Sequence, residues 1–337
     1  MQLLTNMLMK TILSKQILSE KIIIDKFFKK LNFNRPGTFN FGNDAAYLNI
    51  SKNYKTIVTT DTIVERVDFF SNDPPESIAQ KILSVNLSDL SAMGSLPNSY
   101  TLNLSVNSKI DNLWLKKFTN RLLKLQKKYK IYLIGGDITK SKEMSFTATF
   151  FGLSKLKFIL SQKKCQLGDD IWVTGNLGNS FIGYKLFKNS NLNIDKNKIT
   201  NFKNNYLYPK PCMFGYVASK YINSAIDISD GFYGDLSKIL NGKYGAKIIK
   251  KLIPISYNLK KVLLKNKSLI NLDDILNWGD DYELIFTSKK NNRDKLMSLS
   301  KKNNVKLSMV GSIINKKGIF DDSLNSINNI NSFDHFS

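Results

Sequence analysis

The chain of 337 residues is poor in cysteine, histidine and arginine, and each shortage closes off a class of chemistry. Two cysteines, Cys165 and Cys212, cannot build a disulfide framework and lack the spacing of a zinc site, so a reducing cytoplasm is the expected compartment. The single histidine, His335, stands close to the C-terminal end, which leaves the serines and threonines without a partner base for nucleophilic catalysis. No apolar run is sustained enough for a membrane span, and Met1 to Ser19, although it mixes apolar residues with Lys10 and Lys15, has no small-residue cleavage pattern. Neither a signal peptide nor a transmembrane helix is expected. A Gly-x-x-x-x-Gly-Lys-Ser/Thr loop is absent, as is the protein-kinase signature set.

Arginine appears only at Arg35, Arg66, Arg121 and Arg293, so the formal net charge of +23 is carried by lysine. Asparagine is abundant too. Both residues have AT-only codons, and base composition explains much of the excess. The lysines are scattered along helical faces and loops, with no aromatic stacking motif and no DNA-binding module, so nucleic acid is not an expected partner. The milder consequence is a positive field that draws in small phosphorylated molecules.

What remains is ordinary globular material, 42% hydrophobic and 23% charged, long enough for two domains with separate cores. A helix is expected from about Glu20 to Leu31, with Ser19 as its cap and Ile23, Phe27, Phe28 and Leu31 on one side. Strand-like runs follow at Ala45 to Ile50, Lys55 to Thr60 and Ser99 to Val106. Between the last two lies a helix opened by Pro74 and Pro75 and closed by Gly94 and Pro97. A helix over Asp111 to Tyr129 leads into a strand at Ile131 to Ile134, and Phe146 to Leu153 is another strand. The second half restarts at Gly168-Asp169-Asp170 with a strand over Ile171 to Thr174, a turn over Gly175 to Gly178 and a helix. Ala225 to Ser229, then Gly231 and a helix to about Leu240, repeat that order, and the fold class is mixed α/β.

The acidic residues sit in short, separated motifs with glycine or hydroxyl neighbours: Gly42-Asn43-Asp44, Thr59-Thr60-Asp61, Asn86-Leu87-Ser88-Asp89, Gly135-Gly136-Asp137, Asp227-Ile228-Ser229-Asp230-Gly231 and Trp278-Gly279-Asp280-Asp281. Each alone is compatible with an ordinary turn or cap. Asp89, however, continues a helical stripe through Ile78, Ile82 and Val85, so it points inward and needs a metal, a partner charge or a shifted pKa. Strand alternation puts Asp227 and Ser229 on one face, with Asp230 opening the turn, where Mg²⁺ and phosphate oxygens are well served. Gly135-Gly136-Asp137 is read as following an apolar strand and Thr59-Thr60-Asp61 as ending one. Carboxylates about 4 Å apart repel by roughly 4 kcal/mol at an effective dielectric near 20, and several such pairs exceed a domain's ~5–15 kcal/mol of stability. A gathered cluster therefore requires divalent cations or raised pKa values, and a nucleotide triphosphate with Mg²⁺ is the economical explanation.

In order and spacing these motifs resemble the thiamine-monophosphate kinase family, of the superfamily that includes aminoimidazole ribonucleotide synthetase and selenophosphate synthetase. The resemblance runs from about Ser19 to Phe336 through GNDAAYL, TTDTIVERVDFF, NLSDLSAMGSLP, GGDITKS, GDDIWVTGNLG, IDISDGFYGDL, WGDDYELIFT and SFDHF. It implies transfer of the ATP γ-phosphoryl group to thiamine monophosphate, giving thiamine diphosphate and ADP. It further implies a homodimer of two-domain subunits: an extension over 1–18, an ATP- and Mg-binding domain over 19–154 whose mixed sheet forms a dimer barrel, and a C-terminal α/β domain over 155–337. Asp44, Asp61, Asp89, Asp137, Asp227 and Asp230 match magnesium ligands, with Thr59 and Thr60 beside the metal. Gly136, Asp137 and Ser229 match ATP-phosphate contacts, and catalysis is expected to depend on Asp89, Asp137 and Asp230. Asp68, Asp280 and Phe333 match positions that face the substrate.

Four departures stand out. Asn43 replaces the first acid of a Gly-Asp-Asp, Gln162 stands where an ATP-contacting arginine is usual, with Lys163 and Lys164 as available substitutes, and Trp278 and Asp280 turn Gly-Gly-Glu-Asp into Trp-Gly-Asp-Asp. For the residues before Ser19 two expectations stand: translation begins at Met9, or they form a disordered extension. Another ATP-dependent synthetase of the superfamily and a basic nucleic-acid-binding protein are the alternative readings; the first cysteine at position 165 argues against a selenophosphate synthetase.

Overall fold

A computed structural model describes residues 20–35, 38, 48, 52–108, 110–328 and 330. The chain forms two compact units. One comprises residues 58–86 and 97–152 with the described part of 1–52; the other comprises 53–57, 87–96 and the described part of 153–337.

The first unit opens on α1 (Glu20–Ile23), which continues through a π-helical turn (Ile24–Phe28) and a 3₁₀ turn (Lys29–Asn32) and buries Phe27, Phe28 and Leu31. The expected cap Ser19 and the expected strand at 45–50, apart from Leu48, lie outside the described residues. A four-stranded sheet follows, ordered β1-β4-β2-β3, from β1 (Lys55–Val64), β2 (Leu96–Val106), β3 (Tyr132–Lys140) and β4 (Ser145–Ser154). Strands β2 and β3 run parallel, and α3 (Asn112–Tyr129) makes the crossover that a parallel pair demands. The α3 N-terminus is fixed by Asp111, whose carboxylate accepts the Trp114 N–H at 2.7 Å; its end is set by left-handed Lys130. Leu115, Phe118, Leu122 and Leu125 form its buried stripe, and Phe118 packs against Phe146 of β4. Helix α2 (Pro75–Ala92) starts on a proline, as expected, and buries Ile78, Ile82 and Leu83 in this unit.

Strand β2 starts three residues early, at Leu96 rather than Ser99, and β1 and β3 run on past the ends that the sequence pattern indicates. Thr59-Thr60-Asp61 lies inside β1 rather than at its end, because pairing with β4 continues past it; the Thr62 and Thr147 hydroxyls meet at 2.7 Å. Gly135-Gly136-Asp137 likewise lies within β3, where the register against β2 slips by one residue between Tyr100 and Thr101. Polar, glycine-containing stretches resemble strand ends, but backbone ladders do not depend on side-chain polarity.

The second unit is built on a six-stranded sheet of order β10-β7-β9-β5-β8-β6. Its strands are β5 (Asp170–Thr174), β6 (Ser224–Asp227), β7 (Gly245–Ile248), β8 (Leu284–Ser288), β9 (Leu307–Ile314) and β10 (Gly318–Phe320). Among the described ladders of this sheet, β10 and β7 pair in parallel and the others antiparallel. Both faces are covered. Ile171, Val173, Ile226 and Ile285 enter one core with α7 (Phe232–Leu240), while Trp172, Ala225, Leu284 and Phe286 enter the other with α6 (Phe214–Ala218) and α10 (Arg293–Lys302). Double coverage explains why β5, β6 and β8 are buried at every position. A third cluster joins α4 (Asn179–Phe187), α5 (Lys196–Leu207), α8 (Tyr257–Lys265) and α9 (Leu272–Leu276) through Phe181, Phe202, Leu259 and Ile275. Where β5 begins, buried Asp170 receives two hydrogen bonds from Arg293, at 2.6 and 2.7 Å.

Gly136 is where the first sheet has least room: a Cβ there would stand 1.9 Å from the Leu102 carbonyl oxygen. Gly136→Ala should therefore push β3 off β2 and lower the thermal unfolding midpoint by roughly 5–10 °C, an overpacking penalty read by circular dichroism or calorimetry. An unchanged midpoint would mean that the strand pair yields without cost.

Candidate active site

Strand β6 delivers Asp227 to its C-terminal end with only 6% of its surface exposed. Half-buried Asp89, on the final turn of α2, belongs to the same compact unit. Burial first, and then the Asp89 charge, push Asp227 well above the ordinary carboxylate range; Asp235 adds to the effect. The nearby Ser88 hydroxyl works against the rise.

Beyond Asp227 the chain turns through Ile228-Ser229-Asp230 to Gly231, whose φ of 115° suits glycine. The turn is held from below by Asp235 in the first turn of α7. Its Oδ2 accepts the N–H groups of Ser229 and Asp230, at 3.1 and 3.0 Å, and its Oδ1 accepts from Lys238 Nζ at 2.8 Å. Lys238 also reaches Asp230 Oδ2 at 2.6 Å. Burial raises the Asp235 pKa, and Lys238 works against that rise.

A second turn packs on this one by main chain alone. Ile228 donates to the Glu283 carbonyl, Tyr282 to that of Ile228 and Asp280 to that of Ser229, at 2.8, 2.9 and 3.0 Å. Gly279 fits because it has no side chain; a Cβ would lie 1.6 Å from the Ser229 oxygen. Asp280 and Tyr282 both adopt left-handed backbone conformations, and the Tyr282 hydroxyl donates to Asp280 Oδ1 at 2.7 Å. Asp280, Asp281 and Glu283 line a cleft of about 410 Å³, together with Asn204, Tyr208 and Lys210 among others. Asp281 accepts from the Gly178 N–H and the Ser180 hydroxyl, yet desolvation pushes it up to about 8. Glu283 accepts from Thr174 at 2.5 Å, and burial lifts it to about 7.

These donors are hard oxygens, and two of them are like-charged carboxylates in a poorly solvated place. That chemistry fits Mg²⁺ better than a softer ion. Among the described residues, no three acidic, histidine or cysteine side chains converge in a ready-made cage, so a cation held here would complete its shell with water or with phosphate oxygens.

Residues 42–154 match the family model of the AIR synthase related protein, N-terminal domain. Over 88% of this chain and 91% of its counterpart, the sequence is 40% identical to the thiamine-monophosphate kinase of Buchnera aphidicola subsp. Acyrthosiphon pisum. The chain belongs to the thiamine-monophosphate kinase family. It is also 33% identical to the thiamine-monophosphate kinase of Haemophilus influenzae, over 88% of this chain and 90% of that one. A crystal structure of the thiamine-monophosphate kinase of Stenotrophomonas maltophilia K279a superimposes with a TM-score of 0.79 at 31% identity, covering 90% of this chain and 97% of that one.

Of the family positions read from the sequence, Asp89, Asp227, Ser229, Asp230 and Asp280 fall in the second unit. Asp89 and Asp227 interact; Asp230 instead faces Lys238. Strand alternation does not relate Ser229 to Asp227, because β6 stops at Asp227 and Ser229 is placed by the turn. In the first unit, alternation along β1 sets Thr59 and Asp61 on one face and Thr60 on the other, where its hydroxyl meets Thr149 at 3.0 Å and the Ala148 carbonyl at 3.2 Å. Gly136 and Asp137 lie on the exposed stretch of β3, Asp137 accepting from Thr139 at 2.9 Å. Asp68 closes a turn by accepting the Val64 N–H at 2.8 Å. Asp44 and Phe333 lie outside the described residues. Gln162, Lys163 and Lys164 are exposed, with the Lys164 N–H tied to Ser224 Oγ at the start of β6.

Sequence reasoning assigned no role to Asp235, Lys238, Asp281 or Glu283. The first two were legible in part: Asp235 and Lys238 share a helix face at a spacing of three, five and eight residues past Asp230. The last two follow Asp280 in a segment whose left-handed residues are not glycines, so nothing marks the turn.

Asp281 and Glu283 carry a pH signature. Their folded pKa values exceed the ordinary carboxylate values near 4, so between those limits the native chain holds protons that the unfolded chain has lost; stability falls as pH rises from about 4 to the folded values of about 7 and 8 and levels off above them. Asp281→Asn should flatten that decline when melting temperature is followed from about pH 5 to about pH 9. A decline as steep as in the parent would place the effect elsewhere.

Proposed function

We infer that this chain transfers the γ-phosphoryl group of ATP directly to thiamine monophosphate, forming thiamine diphosphate and ADP. The observation that carries the reading is its likeness to curated thiamine-monophosphate kinases over nine-tenths of both chains. The interaction of half-buried Asp89 with buried Asp227 supports a cation-dependent site.

Chemically, little is asked of a general base. A phosphate oxygen of the acceptor is already ionised at neutral pH, so the work is to align two anions and reduce their repulsion. Asp44, Asp61, Asp89, Asp137, Asp227 and Asp230 would hold Mg²⁺, with Thr59 and Thr60 beside them. Bound Mg²⁺ supplies charge neutralisation between the two phosphate groups. The Ser229 hydroxyl and the backbone at Gly136, with Asp137, would face the ATP phosphates. On the acceptor side, Asp68, Asp280 and Phe333 would contact thiamine monophosphate; the Tyr282 hydroxyl fixes the Asp280 carboxylate at the cleft wall. Asp280 is one methylene shorter than glutamate, which draws its acid back towards that wall.

The proposed protomer works as a homodimer. The support is the sheet face that the described residues leave open, bearing exposed Val58, Thr60 and Thr62. No described helix is long and apolar enough to cross a membrane.

A coupled assay with ATP, Mg²⁺ and thiamine monophosphate, run beside free thiamine, tests the reading; turnover of thiamine alone would reassign the acceptor. Chelation of divalent cations should abolish turnover and added Mg²⁺ restore it. Asp89→Asn and Asp230→Asn should each lose roughly a hundredfold or more in kcat while staying folded, the scale expected for removing transition-state charge stabilisation. In the absence of cation, Asp227→Asn should melt higher than the parent by calorimetry, because it deletes one of two repelling charges.

A further inference from the structure

Lys238 is the one charged side chain at the Asp227 turn to which the reading above gives no task. It rises from the second turn of α7 and touches two carboxylates of different character. Asp235 is fully buried at its side chain and already committed through Oδ2 to two backbone N–H groups, so it cannot turn away. Asp230 is a third exposed, and among the contacts described above its carboxylate is held by Lys238 alone. The shape of the turn does not need that second bond, since Asp235 holds the Ser229 and Asp230 backbone independently. What the bond does is place a positive charge 2.6 Å from an oxygen of Asp230. A divalent cation arriving at that oxygen would meet the ammonium first.

We propose that Lys238 is a built-in counter-cation, a positioning residue that holds Asp230 in the cation-free protein and sets the divalent-cation concentration at which the site fills. When the cation binds, Lys238 gives up Asp230 and stays on Asp235. The inference rests on Asp230 being a cation-holding residue, as proposed above. It explains why a partly exposed lysine is braced from below by a buried aspartate: the brace keeps the ammonium within reach while it competes.

The test is a Mn²⁺ titration of the full chain without nucleotide, with free Mn²⁺ read by electron paramagnetic resonance. Lys238→Met and Lys238→Gln should bind Mn²⁺ about threefold to fivefold more tightly than the parent, the range open to a half-exposed ion pair, and Lys238→Arg should bind like the parent. In the coupled assay, the Mg²⁺ concentration for half-maximal rate should fall by the same factor in the two neutral variants. The glutamine variant keeps a hydrogen-bonding group towards Asp235 and serves if the methionine variant does not fold, as checked by thermal melting. Parent-like or weaker Mn²⁺ binding in the folded neutral variants, or tighter binding in Lys238→Arg, would overturn the proposal. Asp227→Asn separates the two levels: if it binds Mn²⁺ as well as the parent, or the parent binds none, the cation-site reading fails and takes the proposal with it.

Discussion

The constraint on which the second unit depends is the mutual repulsion of Asp89 and Asp227. A carboxylate at the end of a doubly covered strand has almost no water to relax into, and here a like charge faces it. Two responses are open to such a pair, proton uptake or a bound cation, and both require that the strand end stay where it is. The surrounding structure supplies that rigidity. Ala225 and Ile226 anchor β6 in opposite cores, and β8 pairs with it along its whole length. Without those anchors the charges would part at little cost, and the site would lose its demand for a cation.

The same economy runs through the turn that follows. Asp235 satisfies two backbone N–H groups and one ammonium with a single carboxylate, so a buried acid is stabilised by what it organises. At the opposite end of the strands, where β5 begins, Asp170 and Arg293 solve a similar problem differently, by forked pairing. One acid thus shapes a site and the other steadies a strand, and composition does not distinguish them. Local geometry does.

How much of this was legible in the sequence depended on which force set each feature. Helices α2 and α3 were read nearly to the residue, because proline, an aspartate cap and apolar periodicity all act locally. The ends of β1 and β3 were misjudged by several residues and that of β6 by two. Strand length is settled by the partner ladder, which lies far away in sequence; Thr59 to Asp61 and Gly135 to Asp137 are polar yet paired. In the site, the inward direction of Asp89 followed from helical spacing, and its interaction with Asp227 bears that out. The roles of Asp281 and Glu283 could not be read in advance, since their high pKa values arise from burial in the folded unit, and the groups that partly offset it, Thr174, Gly178 and Ser180, stand more than a hundred residues upstream.

The two turns at the head of β6 are joined through main-chain atoms, from Ile228, Ser229, Asp280, Tyr282 and Glu283, with Gly279 as the point of closest approach. Because that joint uses no side chain, it is indifferent to most changes in residue type around it. Position 278 can carry tryptophan and position 280 a shortened acid while the frame that presents them keeps its shape. The arrangement separates heredity of form from freedom of content: a lineage can alter what the cleft displays one side chain at a time, while Gly279, at the closest approach, is held hostage to the fold.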